Sequence, residues 1–264
     1  MFTSSKLLMC AAAALAFPAG VGLTSVASAA SVTTSGSFQN TIGGTNVNTQ
    51  PVAGFPRPGF ANATFLNFGN PLSGGIPEGQ SGFVFEGLSP ITLSPVEGLE
   101  FDVGGFTHRN APTTLGSNIS STQLNITLAN GGESQSSFDI EFIQTTNALS
   151  GPACAAAQGS PGGIAVEDEN GCGDVVNFPS VFSETQINVD DEDFFVEILG
   201  FEQDGVTTAQ FKTLEDADNN AVLRARLRSE VPVEVIPLPA AAWLFLAGIG
   251  SLLGISWRNR KTAA

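Results

Sequence analysis

Short apolar–polar alternations, cut repeatedly by turn residues, constrain this chain more than any other feature. In GLEFDVGGF, Leu99, Phe101 and Val103 alternate with Glu100 and Asp102. In QLNITLANGG, Leu124, Ile126 and Leu128 alternate with Asn125 and Thr127, and Asn130-Gly131-Gly132 supplies a turn. SFDIEFIQ sets Phe138, Ile140 and Phe142 against Asp139 and Glu141. A period of two places successive side chains on opposite faces of an extended strand, so each run buries one face and wets the other.

Later runs behave alike. FFVEILGF (194–201) reads as a core strand and is followed by the turn-like Glu202-Gln203-Asp204-Gly205. VLRARLRS sets Leu223, Ala225 and Leu227 against Arg224, Arg226 and Arg228, a row of arginines for one solvated face. With ATFLNF, GFVFEG and TAQFKTL the count reaches about eight or nine strands, and no amphipathic helix competes. The pattern predicts an all-β fold, an antiparallel β-sandwich of jelly-roll or immunoglobulin-like type, over residues 30–232. Its many phenylalanines supply the filling between the sheets. The Ser-, Thr-, Asn- and Gly-rich stretch from Ala30 to Pro51 predicts only a weak strand or a loose arm.

Both ends read as addresses. At the N-terminus, Lys6 precedes an apolar run from Leu7 to Val26, and Ala27-Ser28-Ala29 fits a small-residue cleavage site. Residues 1–29 therefore read as a secretory signal peptide, with Ala30 as the mature start. A lipoprotein reading through Cys10 fails, because Leu8 and Met9 stand where small residues are needed. At the other end, residues 240–257 carry no charge and reach about 27 Å as a helix, enough to cross a bilayer. Arg258, Arg260 and Lys261 follow at once and would hold that end in the cytoplasm.

Charge narrows the partners. Between Ala30 and Ile236 the chain holds 25 acids against six bases, a net charge near −19. Such a domain repels nucleic acid and anionic membrane surfaces. Solubility is the plain reading of that charge, and divalent-cation binding is the other. Asp216, Asp218 and Asn220 form a D-x-D-x-N run that could offer oxygens to calcium. Ala221 replaces the glycine that an EF-hand needs next, so an EF-hand is excluded. Asp190-Asp191-Glu192-Asp193 and Glu167-Asp168-Glu169 are further acidic groups of the same kind.

Removal of the signal leaves two cysteines, Cys154 and Cys172, which in an exported chain most simply form one disulfide. A zinc site from both cysteines and His108 lacks close ligand spacing. His108, the only histidine, lies in GGFTHRNAP, where no G-x-S-x-G or H-E-x-x-H accompanies it. The structural expectation is that Thr107, His108 and Asn110 brace a turn after the 99–106 strand. No catalytic set stands out. Outward carboxylates at Glu100, Asp102, Asp139 and Glu141 leave open a carbohydrate-active hydrolase with paired acids. Trp243 and Trp257 are the only tryptophans and there is no tyrosine, so the β domain lacks the usual sugar-stacking rings. N-x-[ST] sequons occur at Asn62, Asn118 and Asn125.

The C-terminal segment 233–264 joins Ile236-Pro237-Leu238-Pro239-Ala240, the apolar run 240–257 and the basic cluster Arg258, Arg260 and Lys261. It resembles the VPLPA-CTERM variant of the PEP-CTERM sorting signal of Gram-negative bacteria, with Ile236 in place of the motif's valine. That resemblance implies recognition by an exosortase, an integral-membrane transpeptidase, and cleavage near the motif. The precursor would be held in the inner membrane and the mature domain released to the cell surface or extracellular matrix. Thr107-His108-Arg109-Asn110, with the strands around it, is similar to the choice-of-anchor K domain and to the THxN family of PEP-CTERM proteins. Neither family brings an enzymatic activity. The expectation is a non-enzymatic surface or matrix protein acting in adhesion, exopolysaccharide association or biofilm structure.

Overall fold

Fifteen strands form among the residues described by the computed structural model, which are 29–130, 132–145, 153–154, 166–167, 171–179, 182 and 186–230. The expected signal peptide up to residue 28, the sorting motif Ile236 to Ala240, the span 240–257 and Arg258, Arg260 and Lys261 lie outside them. Among the described residues no helix is long and apolar enough to cross a membrane.

The first half of the chain gives β1 (Ala30–Gly43), β2 (Ala61–Phe68), β3 (Ser81–Gly87), β4 (Ile91–Leu93), β5 (Glu100–Asn110), β6 (Ile119–Ala129) and β7 (Glu133–Ile143). The second half gives β8 (Val166–Glu167), β9 (Cys172–Gly173), β10 (Val175–Asn177), β11 (Ile187–Val189) and β12 (Glu192–Gln203). It ends with β13 (Val206–Thr208), β14 (Gln210–Lys212) and β15 (Ala217–Arg228). Sheet 1 runs β14-β10-β7-β6-β1-β4, and sheet 2 runs β11-β12-β15-β5-β3-β2 with β13 on β12. The sheets are antiparallel, and the chain passes between them at β1–β2, β3–β4, β4–β5, β5–β6, β10–β11, β13–β14 and β14–β15.

The inward phenylalanines bind the layers together. Phe83 of sheet 2 lies 6.2 Å from Phe38 and 5.6 Å from Phe142, both on sheet 1. It also meets Phe68 at 5.3 Å and Phe106 at 5.5 Å within its own sheet. Further along, Phe201 stacks between Phe178 and Phe211 at 5.1 and 5.0 Å. These tilted, edge-on and offset contacts are the geometries that ring quadrupoles favour.

The largest departure from the sequence reading is β1. The stretch expected as a loose arm is a 14-residue strand between β6 and β4. It buries Val32, Thr34 and Phe38 inward, so its alternation is real but one buried position is polar. Thr34 Oγ1 donates to the Val103 carbonyl at 2.6 Å and accepts from the Leu88 amide at 2.7 Å, which satisfies it inside the core. At Gly36 a Cβ would lie 2.5 Å from Phe85 Cδ1. The missing side chain lets the Phe85 ring reach across to β1.

A second, smaller apolar cluster sits on the outer face of sheet 2, where Val52 packs with Phe65 and Val84, and Phe55 joins them. The segment before β2 thereby caps that end of the sheet. It places the Arg57 guanidinium against Gly105 and 5.1 Å from the Phe60 ring centre.

Cys154 and Cys172 are joined as a disulfide, with both residues fully buried. The loop they close carries a short ladder, β8 on β9, where the sequence suggested no strand. The Thr145 hydroxyl donates to the Cys172 carbonyl and ties this loop to the end of β7. Cross-linking positions 18 residues apart is expected to contribute about 3 kcal/mol by restricting the unfolded chain. Reduction should therefore lower the urea midpoint, with the Cys154→Ala/Cys172→Ala variant matching the reduced protein. A reduced protein with an unaltered midpoint would remove the stabilising role.

Candidate functional site

Thr107, His108, Arg109 and Asn110 do not brace a turn. All four lie inside β5, between β3 and β15 in the middle of sheet 2. The strand continues past Phe106 because the alternation continues: Phe106, His108 and Asn110 turn inward, while Thr107 and Arg109 face out. The sequence reading stopped early because histidine and arginine looked like turn residues after Gly104-Gly105.

His108 is fully buried, 5.3 Å from the Phe83 ring and 5.1 Å from the Phe142 ring. Its Nδ1 lies 2.9 Å from Thr213 Oγ1, and the Thr213 hydroxyl donates to the Asp174 carbonyl. That geometry fits a neutral ring with its proton on Nδ1. Burial pushes its pKa down to about 3, because the charged ring has no water around it. The native state thus refuses a proton that the unfolded chain accepts near 6.5. The contribution of His108 to stability is complete above 6.5 and is lost as pH falls toward about 3. His108→Phe should therefore flatten the acid limb of a melting-temperature profile, and an unchanged limb would refute this account.

The buried Asp174 carboxyl responds oppositely. Burial raises its pKa well above 3.8, the backbone amide of Thr145 opposes that rise, and nearby Glu215 adds to it. Thr145 N donates to Asp174 Oδ1 at 2.6 Å. Together His108, Thr213 and Asp174 join β5, β14 and the β9–β10 turn into one internal brace.

Two of the three candidate calcium donors are drawn into other bonds. Asp218 pairs with Arg109 Nε at 3.2 Å. Asn220 Oδ1 accepts from Arg57 Nη1 at 2.6 Å and from Thr107 Oγ1 at 2.7 Å. Asp216 is exposed at the turn before β15 with a positive φ of 53°. Among the described residues, no three His, Cys, Asp or Glu side chains come together as a metal-binding group. Of the sequons, Asn118 and Asn125 are buried and Asn62 is exposed at the start of β2.

The outer faces of the two sheets differ sharply in charge. On sheet 2 every described arginine is in an ion pair. Arg57 reaches Glu86 at 2.5 Å, and Arg224 spans Glu100, Asp102 and Glu202 at 3.0–3.5 Å. Arg226 and Arg228 share Glu197, and Arg228 also reaches Glu97. The arginine row of VLRARLRS, read from sequence as one solvated face, is thus a neutralised ladder.

Sheet 1 has no lysine or arginine on β1, β6 or β7. Its outward positions form registered rows: Ser35–Thr127–Gln135, Ser37–Asn125–Ser137 and Gln39–Gln123–Asp139. The last row is extended by a chain of amide bonds, Asn40 Nδ2 to Gln123 Oε1 at 2.6 Å and Gln123 Nε2 to Asp139 Oδ1 at 2.9 Å. Beside it lies a groove of about 310 Å³ lined by Asn40, Ile42, Ser121, Gln123, Asp139 and Glu141, among others. Of the four outward carboxylates considered from sequence, Glu100 and Asp102 are held by Arg224, whereas Asp139 and Glu141 line this groove. Among the described residues, no aromatic side chain lines it. The contributions of Asn40 and Ile42 escaped the sequence reading because β1 read as an arm. The signal was present in Ser31, Thr33, Ser35, Ser37 and Gln39, which alternate with Val32, Thr34 and Phe38.

No protein-family model matches the chain, and no curated protein matches it.

Proposed function

We propose that this chain is an exported, non-enzymatic protein of the cell surface or extracellular matrix of a Gram-negative bacterium. Its location is read from the two ends: a signal peptide over 1–29, and a sorting segment built on Pro237-Leu238-Pro239-Ala240. An exosortase-type transpeptidase would act on that segment while the 240–257 helix holds the precursor in the membrane. The single observation that supports a role in adhesion or exopolysaccharide association is the hydroxyl- and amide-rich surface of sheet 1, whose β1, β6 and β7 carry no lysine or arginine. Acidic charge elsewhere excludes nucleic acid as a partner. The frequent passage of the chain between sheets favours a jelly-roll-like over an immunoglobulin-like arrangement.

Intact-mass measurement of the protein from its native host tests the location. The expected mature chain starts at Ala30 and ends near Pro239, and it co-fractionates with the extracellular polysaccharide. A chain still ending at Ala264, in the membrane fraction, would overturn the sorting reading.

One observation favours a second reading, a secreted carbohydrate-active hydrolase. Asp139 and Glu141 stand two residues apart on one strand face in the same groove, the sort of paired carboxyls glycoside hydrolysis uses. The absence of any ring to hold a sugar there weighs against it. Release of reducing ends from a polysaccharide by the purified protein would decide for hydrolysis.

A further inference from the structure

We infer that the groove on the outer face of sheet 1 seats a neutral, hydroxyl-rich polysaccharide chain. The inference rests on the surface reading above and names the partner's chemistry and its place on the fold.

The face offers three kinds of contact within one groove. Asp139 and Glu141 accept hydrogen bonds from sugar hydroxyls. Ser121, Asn40 and Gln123 donate and accept through hydroxyl and amide groups. Ile42, exposed to 62 %, and Pro179 supply apolar surface for the C–H faces of a ring. The amide chain from Asn40 through Gln123 to Asp139 holds the polar groups in place before any ligand arrives. Such preorganisation lowers the ordering cost of binding. A groove of about 310 Å³ lies at the lower end of the range, about 300–1,000 Å³, that small-ligand sites occupy. Rows of polar side chains continue along the sheet beyond it, spaced about 4.8 Å across strands, so a polymer finds further contacts on either side.

Charge selects among occupants. The described arginines are all engaged on the other sheet, and β1, β6 and β7 add only carboxylates to this face, Glu133 among them, while Lys212 stands on β14 at the far edge of the sheet. An anionic polymer is repelled here. A second copy of the chain would bring the same carboxylates face to face. A peptide with an apolar face would meet Ile42 as its main apolar contact. An uncharged, hydroxyl-bearing polymer is the one class whose groups match all of these.

Co-sedimentation of the full chain, purified in detergent, with dextran gel, insoluble cellulose and galactomannan gel tests the inference, with alginate beads as the anionic probe. Binding to at least one neutral probe, weak binding to alginate and no effect of EDTA are expected. Gln123→Ala/Asp139→Asn should weaken that binding at least tenfold, whereas Glu202→Gln on the opposite outer face should leave it unchanged. Both changed positions are partly or fully exposed, and a melting curve confirms that the variants fold. Wild-type binding that survives the groove substitutions overturns the groove while leaving the surface reading intact. No binding by the wild type to any probe overturns both. Loss of binding in EDTA, or a preference for alginate, overturns the neutral-polymer assignment in favour of a cation-bridged one.

Discussion

Arg57→Ala should destabilise the protein by about 3–5 kcal/mol, the cost of leaving a buried charge without its partner. Glu86 is fully buried on β3, and Arg57 is its ion-pair partner, through Nε at 2.5 Å and through its backbone amide. The guanidinium reaches it only because Gly105 has no side chain: a Cβ there would lie 2.2 Å from Arg57 Nη2. Arg57 also donates to Asn220, so its loss loosens β15 as well as the segment before β2. Urea denaturation of the single variant, of Glu86→Gln and of the double variant measures the coupling. The double variant should be more stable than Arg57→Ala alone, since removing the carboxylate removes the stranded charge. A cost below about 1 kcal/mol for Arg57→Ala, the size of a solvated surface pair, would show that Glu86 keeps access to water.

Phe83→Ala is expected to cost a similar amount, about 3–5 kcal/mol. Its ring is fully buried and lies within 6.2 Å of Phe38, Phe68, Phe106, His108 and Phe142. These neighbours come from both sheets, so the cavity would open across the interface and could not be filled by movement of one strand. Phe83→Leu should cost clearly less, because most of the volume remains. Equal costs for the two substitutions would mean that ring contacts, and not volume, hold the sheets together.

The fold was legible where alternation involved bulky residues. Strands β3, β5, β6, β7, β12 and β15 were all visible as runs of Phe, Leu, Ile or Val at every second position. β1 was not, because its inward set includes Thr34 and Gly36, chosen for an inter-sheet hydrogen bond and for close approach of Phe85. Neither requirement leaves a hydrophobic mark. The short strands β4, β10, β11 and β13, at three residues each, fall below the length at which periodicity can be read, whereas β14 lies within the TAQFKTL run. For the same reason the groove was half visible: Asp139 and Glu141 stood out as an outward pair, while the opposite wall belonged to the strand that looked like an arm. His108 lies inside β5 and not at a turn, and its partner Thr213 is 105 residues away, beyond any local pattern.

The position of β15 has a mechanical consequence. It is the last described strand, and it lies inside sheet 2 with β12 on one side and β5 on the other. Tension entering through the chain beyond Ser229 pulls β15 along its own length. Both hydrogen-bond ladders are then loaded in shear, and their bonds must yield together. A terminal edge strand under the same pull would peel away one bond at a time. β15 is therefore placed to carry load, so a domain tethered through the chain that follows it would resist being drawn open by flow.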